Sequence, residues 1–174
     1  MTWNLDPNHS SIEFNARHML FAKVRGSFAE FNVDAEVDES DLAASRATVT
    51  IDAASINTRE ENRDGHLRSA DFLDAENHPK ITFVTRQIKP KGGNDYDIKG
   101  DLTIRGVTRE VVFETEIGGP MADPWGNKRI SITGETKVNR KDWGLNWNAA
   151  IEAGGVLVGE SITLQIDAEL VKAA

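Results

Sequence analysis

Alternation of apolar and polar residues with a period of two constrains the fold of this chain more than any other feature of its sequence. The alternation is cleanest over residues 95–105, where one side of the predicted strand carries Tyr96, Ile98, Gly100, Leu102 and Ile104. Successive side chains of a β-strand point to opposite faces, so the pattern predicts a sheet with one apolar and one polar face. We count eight such segments of substantial length, joined in sequence by short turns.

Eight amphipathic strands in succession predict an all-β fold, an eight-stranded antiparallel up-and-down barrel with its apolar faces inward. A β-sandwich would also fit the alternation, but barrel closure removes the long exposed edges of an open sheet. Barrels of this size are filled by side chains or hold one small ligand. Several inward positions are small, which favours a cavity: Ala16, Gly26, Ala35, Gly100, Gly134 and Thr136. The length corresponds to about one domain, and we assign residues 1–174 to it.

The stretch over residues 10–31 begins as an alternating strand and is then interrupted. The interruption is an apolar knot made of His18, Met19, Leu20 and Phe21. Beyond it, the apolar positions are even-numbered up to Phe28 and odd-numbered from Phe31 onward. A β-bulge produces such a one-residue change of phase, so we predict one near Ala29 and Glu30. The stretch therefore predicts two curved strands joined by an apolar cap.

One helical insertion is predicted, around residues 58–75. Thr58 and Glu61 have the spacing of a capping box, which predicts a short helix from that point to about Arg68 and a second turn over residues 71–73. Pro79 ends the insertion, because the residue before a proline is extended. Farther along, the Gly- and Pro-containing run over residues 118–128 predicts a long loop between two strands.

Composition and charge exclude several classes of function. The net charge of -8 argues against a nucleic-acid partner, since the phosphate backbone repels an acidic surface. The chain has no cysteine, which excludes disulfides and thiolate chemistry. No apolar run approaches the roughly 20 residues of an integral membrane segment. The N-terminus lacks a basic segment followed by an apolar one, so we expect a cytoplasmic protein, or a periplasmic one if a leader has been removed.

Several stretches together resemble the YceI-like polyisoprenoid-binding family. They are WNLDPNHSSIEFNARHM, KVRGSFAEF, IDAASINT, DGHLRSADFLDAENHPKITF, GDLTIRGVTREVVF, the NRKDWG segment and VGESITLQIDAEL. The resemblance runs from Trp3 to the last strand and implies a lipocalin-like barrel with a long apolar interior. It further implies a bound isoprenoid lipid, such as a polyprenyl pyrophosphate or an isoprenoid quinone, with no other cofactor. The family shares no catalytic reaction, and many relatives carry a secretory signal that this sequence does not show.

The resemblance also yields candidate ligand-binding residues. They are Phe14, His18, Met19, Leu20, Phe21, Val24, Phe28, Phe83, Ile132 and Trp147. For a charged head group the candidates are Arg17, Lys23 and Arg25, with Arg63 and Arg68 as further basic residues. A quinone needs only a hydrogen-bond donor, for which His18 or Asn15 would serve. We assign no catalytic residue and no metal ligand.

Other motifs have structural readings beside their functional ones. Asp64, His66 and Asp71 suggest a metal site, but helical residues two apart do not share a face, which favours a surface helix. His9 and Ser10 would point to opposite faces of a strand, which favours a turn. The segment over residues 139–144 matches a family signature, and we interpret it as an Arg140–Asp142 pair at a barrel corner. Trp143 and Trp147 fit either packing or the cavity wall.

Three classes of function remain open at this point. The first is a protein that binds, sequesters or transports one long isoprenoid lipid in its barrel. The second is an enzyme that uses a histidine and a carboxylate on a lipid or small molecule. The third is a non-catalytic stress-response barrel that binds another amphiphile or whose lumen is incidental. A second copy of the chain is a possible partner, in a homodimer of two barrels that share a face.

Overall fold

Eleven strands and one α-helix make up the fold in a computed structural model, which describes residues 2–18, 22–148 and 158–174. The strands are β1 (Trp3–Leu5), β2 (Ser11–His18), β3 (Ala22–Phe28), β4 (Phe31–Glu36), β5 (Arg46–Asp52), β6 (Ile56–Asn57), β7 (Lys80–Gly92), β8 (Asp95–Ile104), β9 (Val107–Ala122), β10 (Lys128–Asn139) and β11 (Val158–Lys172). Helix α1 spans Glu61–Arg68, and 3-10 turns occupy Pro7–His9, Leu42–Ala44, Ala53–Ser55 and Arg140–Trp143.

The strands close into an eight-stranded antiparallel barrel, which confirms the predicted fold class. The ring runs β1, β4, β5, β7, β8, β9, β10 and β11, and it closes because β1 pairs with both β4 and β11. Strand β2 pairs with the other half of β11, and β3 and β6 follow it. Three walls of the barrel are therefore each built from two short strands in line: β1 with β2, β3 with β4, and β5 with β6.

The wall formed by β3 and β4 is interrupted where the change of phase predicts it. Strand β3 ends at Phe28 and β4 begins at Phe31. Phe28 is buried at an even position and Val33 at an odd one, so the inward set moves by one residue across the interruption. The Ala29 N–H donates to the Ser55 carbonyl, in the 3-10 turn that separates β5 from β6. The neighbouring walls thus bend at the same height.

The helical insertion is present, but its start differs from the prediction. Glu60 is the N-cap of α1, and its carboxylate accepts hydrogen bonds from the backbone N–H groups of Asn62 at 3.2 Å and Arg63 at 2.6 Å. Thr58 is therefore not the cap. The chain turns at Arg59, whose φ is 65°, and this turn separates Thr58 from the helix. The predicted second turn is observed, with the Phe72 N–H donating to the Ser69 carbonyl.

The predicted long loop over residues 118–128 is mostly strand. Strand β9 continues to Ala122 and β10 begins at Lys128, which leaves residues 123–127 as the turn. The Asp123 carboxylate closes this turn by accepting from the N–H groups of Trp125 and Asn127, each at 2.9 Å. A register shift between Arg129 and Ser131 accommodates the Gly- and Pro-containing segment within the ladder. Bulges of this kind tolerate residues that a regular strand does not.

The two ends of the barrel are closed differently. At the end where β1 begins and β11 finishes, Trp3, Ile130 and Leu170 are 4 %, 2 % and 1 % exposed and fill the interior. At the other end lie α1, the turn between β8 and β9, and residues 140–148, which follow β10. We call these the plugged end and the helix end. Trp143 anchors the helix end, because its buried Nε1 donates to the Leu102 carbonyl at 2.9 Å.

Candidate ligand-binding lumen

A cavity of about 330 Å³ lies inside the barrel. Small-molecule sites in proteins have volumes of about 300–1,000 Å³, so the lumen is large enough for a ligand. Six of the predicted ligand-binding residues line it: Phe14, Val24, Phe28, Phe83, Ile132 and Trp147. The rings of Phe14, Phe28 and Phe83 line this cavity and leave its interior open. Phe14 packs on Phe28 of the neighbouring strand with ring centroids 5.7 Å apart, and Phe83 meets Phe113 at 5.1 Å.

The remaining predicted residues are placed elsewhere or lie outside the described part of the chain. Met19, Leu20 and Phe21 fall outside the described residues, and so do the side chains of Arg17 and His18. Lys23 and Arg25 are exposed on the outer face of β3. This follows from strand alternation, because Val24 between them faces the lumen. The structure therefore does not bring Lys23 and Arg25 to the cavity.

The three remaining polar candidates divide in the same way. Asn15 lies opposite Arg25 in the β2–β3 ladder, on the outer side. Neither Asn15 nor Arg68 contributes to the cavity wall, whereas Arg63 does. Arg63 is held by Thr58, since its Nε donates to Thr58 Oγ1 and its Nη2 to the Thr58 carbonyl, both at 2.7 Å. Of the predicted basic residues whose side chains the structure describes, Arg63 is the one that lines the lumen.

His66 also lines the lumen, a position that the metal-site argument did not suggest. Its ring stands edge-on to Phe72 and to Trp147, with centroids 5.1 and 4.5 Å apart. Its Nε2 is hydrogen-bonded to the Asp71 carboxylate at 2.9 Å. Arg63, His66 and Leu67 all face the cavity. Their spacing of i, i+3 and i+4 defines one face of a helix, and this signal was available in the sequence.

Asp64 anchors the insertion. It is 8 % exposed, and one of its carboxylate oxygens accepts from the Thr58 N–H at 2.8 Å and from the Thr58 hydroxyl at 2.5 Å. These bonds tie α1 to the segment that follows β6. Because Thr58 also receives Arg63, one buried threonine fixes both the helix and the lumen-lining guanidinium. Asp64 is thus hydrogen-bonded to Thr58, whereas His66 is hydrogen-bonded to Asp71, so the two side chains have separate partners.

Among the described residues, the one group with three potential metal ligands lies outside the lumen and consists of Asp6, His9 and Glu169. Arg129 binds these carboxylates, at 3.0 Å from Asp6 and 2.8 Å from Glu169, and also contacts Asp123 at 3.0 Å. The hydrogen bonds from His9 and Arg129 lower the pKa of Asp6 below its ordinary value. His9 and Ser10 both bond to Asp6, which places them in a turn as expected.

Arg140 departs from the predicted Arg–Asp pair. Arg140 is 3 % exposed, and its guanidinium donates to main-chain carbonyls: Gly159 at 2.9 Å, Trp147 at 3.0 Å, Val158 at 3.2 Å and Leu145. Asp142 is exposed instead. A planar guanidinium has five donors in a fixed fork, which suits several carbonyls better than one carboxylate. Burial lowers the pKa of Arg140. Arg140 and both Trp143 and Trp147 contribute to the cavity wall.

Residues 3–170 match the family model of the YceI-like domain. The chain belongs to the YceI-like family. A UPF0312 protein of Staphylococcus aureus is 39 % identical over 170 residues, a match that covers 96 % of this chain and 95 % of that protein. This agreement over nearly the whole chain places the barrel and its helical insertion together within one family architecture.

Two solved structures share the fold of this YceI-like domain. BcnA of Burkholderia cenocepacia superposes with a TM-score of 0.80 at 25 % identity, covering 98 % of this chain and 100 % of BcnA. A polyisoprenoid binding domain from Saccharophagus degradans gives a TM-score of 0.73 at 14 % identity, covering 98 % of each chain. At that identity the second likeness concerns the fold alone. Within the described residues, no helix has the length and apolarity that a bilayer crossing requires.

Proposed function

We propose that this YceI-like domain binds one long-chain isoprenoid lipid, such as a polyprenyl pyrophosphate or an isoprenoid quinone, in the barrel lumen. The observation that carries the proposal is a cavity of about 330 Å³ whose wall is almost entirely aliphatic and aromatic. Burying each methylene-sized group stabilises a complex by about 0.8 kcal/mol. A tube of this kind binds a polyprenyl tail with few hydrogen bonds. The polyisoprenoid binding domain of Saccharophagus degradans, which has the same fold, supports this choice of ligand.

The polar end of the ligand is expected at the helix end of the lumen. Arg63, His66 and Trp147 lie there, whereas Trp3, Ile130 and Leu170 at the plugged end are apolar and buried. An isoprenoid tail pointing toward Trp3 would leave its head group near Arg63. A guanidinium can donate hydrogen bonds to a phosphate or to a quinone oxygen. The family resemblance and this placement together favour Arg63 over Lys23 and Arg25 for the head group.

We infer a binding role and not a catalytic one. The enzyme hypothesis requires two titratable groups within reach of each other, and His66 and Asp71 satisfy that requirement. Asp71, however, is half exposed and does not contribute to the cavity wall, so this pair orients the His66 ring against Trp147. A direct test is to incubate the protein with a C40 prenyl quinone and to recover the lipid. We expect unchanged quinone, whereas a stoichiometric or larger amount of converted lipid would contradict the binding role.

The binding proposal is tested by extraction and by thermal stability. Organic extraction of the purified protein, followed by mass spectrometry, should recover a lipid with repeating isoprene units. Addition of the C40 prenyl quinone at about 100 times Kd should stabilise the native state by about 2.7 kcal/mol. For a chain of this length, that corresponds to a rise in Tm of roughly 5–10 °C. A protein without extractable lipid whose Tm does not respond to the quinone would refute the proposal.

A pair of matched variants separates lumen binding from adsorption to the surface. Ala16→Phe adds a ring to the cavity wall, and Ala122→Phe adds the same ring at an exposed position at the plugged end. We expect the quinone-induced rise in Tm to disappear in Ala16→Phe and to persist in Ala122→Phe. Loss of the response in both variants, or in neither, would contradict binding inside the lumen.

A further inference from the structure

Two glycines on the inner wall of the barrel differ in what covers them. Gly26 lies in β3, directly opposite Phe14 of β2 in the antiparallel ladder. A Cβ atom at Gly26 would overlap the Phe14 ring, with Cε1 at 2.6 Å and Cζ closer still, and would lie 2.9 Å from the Thr58 methyl group. Real Cβ atoms do not approach other atoms this closely. The Phe14 ring therefore occupies the space that a side chain at position 26 would need.

Gly134 of β10 is the contrasting position. A Cβ atom there would meet Ile166 Cγ2 at 3.2 Å and Thr115 Oγ1 at 3.3 Å, distances that small shifts can relieve. No aromatic ring lies nearer than 3.6 Å, where Phe113 makes ordinary contact. Both glycines lie inside regular strands, so alanine fits the backbone at either one. The two positions differ in whether the added methyl group displaces a ring.

Phe14 lies at a depth in the lumen where movement of its ring would close the passage to the deeper part. Toward the helix end, the wall beside Phe14 carries Ala16 and Val24; toward the plugged end it carries Ile12 and Phe28. Phe14 lies between these two levels. While its ring rests on Gly26, the passage from the helix end to the deeper lumen stays open. A ring that leaves this position has the sheet behind it and can move only into the lumen.

We propose that the Phe14–Gly26 pair determines how long an apolar chain the lumen accepts. Gly26 provides the flat surface on which the Phe14 ring lies, and a side chain at position 26 closes the deeper half of the cavity by displacing that ring. The inference rests on the proposed function, since it concerns the length of the bound lipid. It identifies specificity-determining residues and requires no particular head group.

The test compares a short and a long all-trans prenol, farnesol and solanesol, on four proteins. We expect wild-type protein to bind both alcohols. Gly26→Ala should bind solanesol at least about tenfold more weakly, because each heavy atom excluded from the lumen forfeits part of the affinity. Its affinity for farnesol should change by less than about threefold. Gly134→Ala adds a methyl group on the same inner wall without displacing a ring and should keep the wild-type ratio of solanesol to farnesol affinity. Phe14→Ala/Gly26→Ala should recover solanesol binding.

Several outcomes would overturn the inference. An unchanged ratio of solanesol to farnesol affinity in Gly26→Ala would contradict it. A double variant as weak as Gly26→Ala would show that displacement of Thr58, and not of the ring, causes the loss. Should Gly26→Ala fail to fold, Phe14→Leu/Gly26→Ala and Phe14→Ala/Gly26→Ala still form a graded pair, in which the larger side chain must exclude the longer prenol. Wild-type protein that binds neither alcohol refutes the proposed function itself, an outcome distinct from an unchanged ratio.

Discussion

Replacement of the buried Arg140 should lower the stability of this barrel because several main-chain carbonyls depend on it. It is nearly inaccessible at 3 % exposure and donates to carbonyls on both sides of the β10–β11 connection. Arg140→Met keeps a flexible side chain of similar length but removes all five donors. The perturbation therefore acts on hydrogen bonds more than on packing.

The magnitude follows from the acceptors left behind. The carbonyls of Leu145, Trp147 and Gly159 lose the Arg140 donor. The Val158 carbonyl keeps a bond from Asn148 Nδ2 at 2.7 Å. A buried acceptor without a donor costs about 1–3 kcal/mol, and relief of the buried guanidinium's desolvation offsets part of the sum. We expect a net loss of about 3 kcal/mol in the free energy of unfolding, or roughly 6–12 °C in Tm.

Urea unfolding followed by tryptophan fluorescence measures this loss, and the adjacent lysine provides the control. Lys141 forms an ion pair with Glu160 at 2.7 Å, and both side chains are about half exposed. Lys141→Met removes one positive charge, as Arg140→Met does, but an exposed pair contributes only about 0–1 kcal/mol. If the free energies of unfolding of Arg140→Met and Lys141→Met differ by less than about 1 kcal/mol, the hydrogen bonds of the guanidinium do not stabilise this part of the barrel and the reasoning is refuted.

Three further predictions concern other parts of the barrel. Hydrogen bonds from His9 and Arg129 lower the pKa of Asp6, and at Asp123 burial raises the pKa but bonds from Arg129 and Asn127 outweigh it. The stability that these contacts contribute is present above the ordinary carboxyl pKa of about 4 and is lost as pH falls through the lowered pKa values. On acidification, the urea midpoint should therefore fall less in Arg129→Met than in wild type. Glu114 lies opposite both Asp97 and Glu135 in its ladders, so Glu114→Gln should raise stability by about 0.2–1 kcal/mol at low salt; a gain that persists in 1 M salt would contradict the electrostatic origin. Trp143→Phe removes the bond to the Leu102 carbonyl and leaves a void, so calorimetry should show a loss of about 2–3 kcal/mol, whereas a loss below about 1 kcal/mol would argue against that bond.

The strands could be predicted from the sequence because alternation is a property of each strand by itself. The inward set of β8, from Tyr96 to Ile104, follows directly from the period of two. The helix start could not be predicted this way. Thr58 and Glu61 satisfy a capping motif, but the fold uses Thr58 to hold Asp64 and Arg63, and Glu60 takes the cap. Side-chain hydrogen bonds of Thr58 to Asp64 and Arg63 therefore exclude Thr58 from the cap.

The residues that line the lumen also differ in how far the sequence predicts them. Residues that reach it from strands, such as Phe14, Phe83 and Ile132, follow from alternation. Residues that reach it from the helix end depend on how α1 and residues 140–148 are placed against the barrel. Arg140 shows why these positions are hard to predict from sequence. Its partners are main-chain carbonyls, which every residue has, so no residue type in the sequence indicates them. A nearby carboxylate, Asp142, was a plausible but wrong partner for the same reason.

The distribution of side-chain size along the barrel axis explains why the interior is empty on one side only. Near the plugged end the inward positions carry the large apolar side chains of Trp3, Ile130 and Leu170, which are almost fully buried. At the middle level the inward set includes Gly26 and Gly134, and the rings of neighbouring strands lie against the wall. Because both levels belong to the same closed ladder, the strands cannot separate to admit a ligand sideways. On the proposed function, we therefore expect a chain-like ligand to enter at the helix end, tail first, with its polar terminus beside Arg63 and His66.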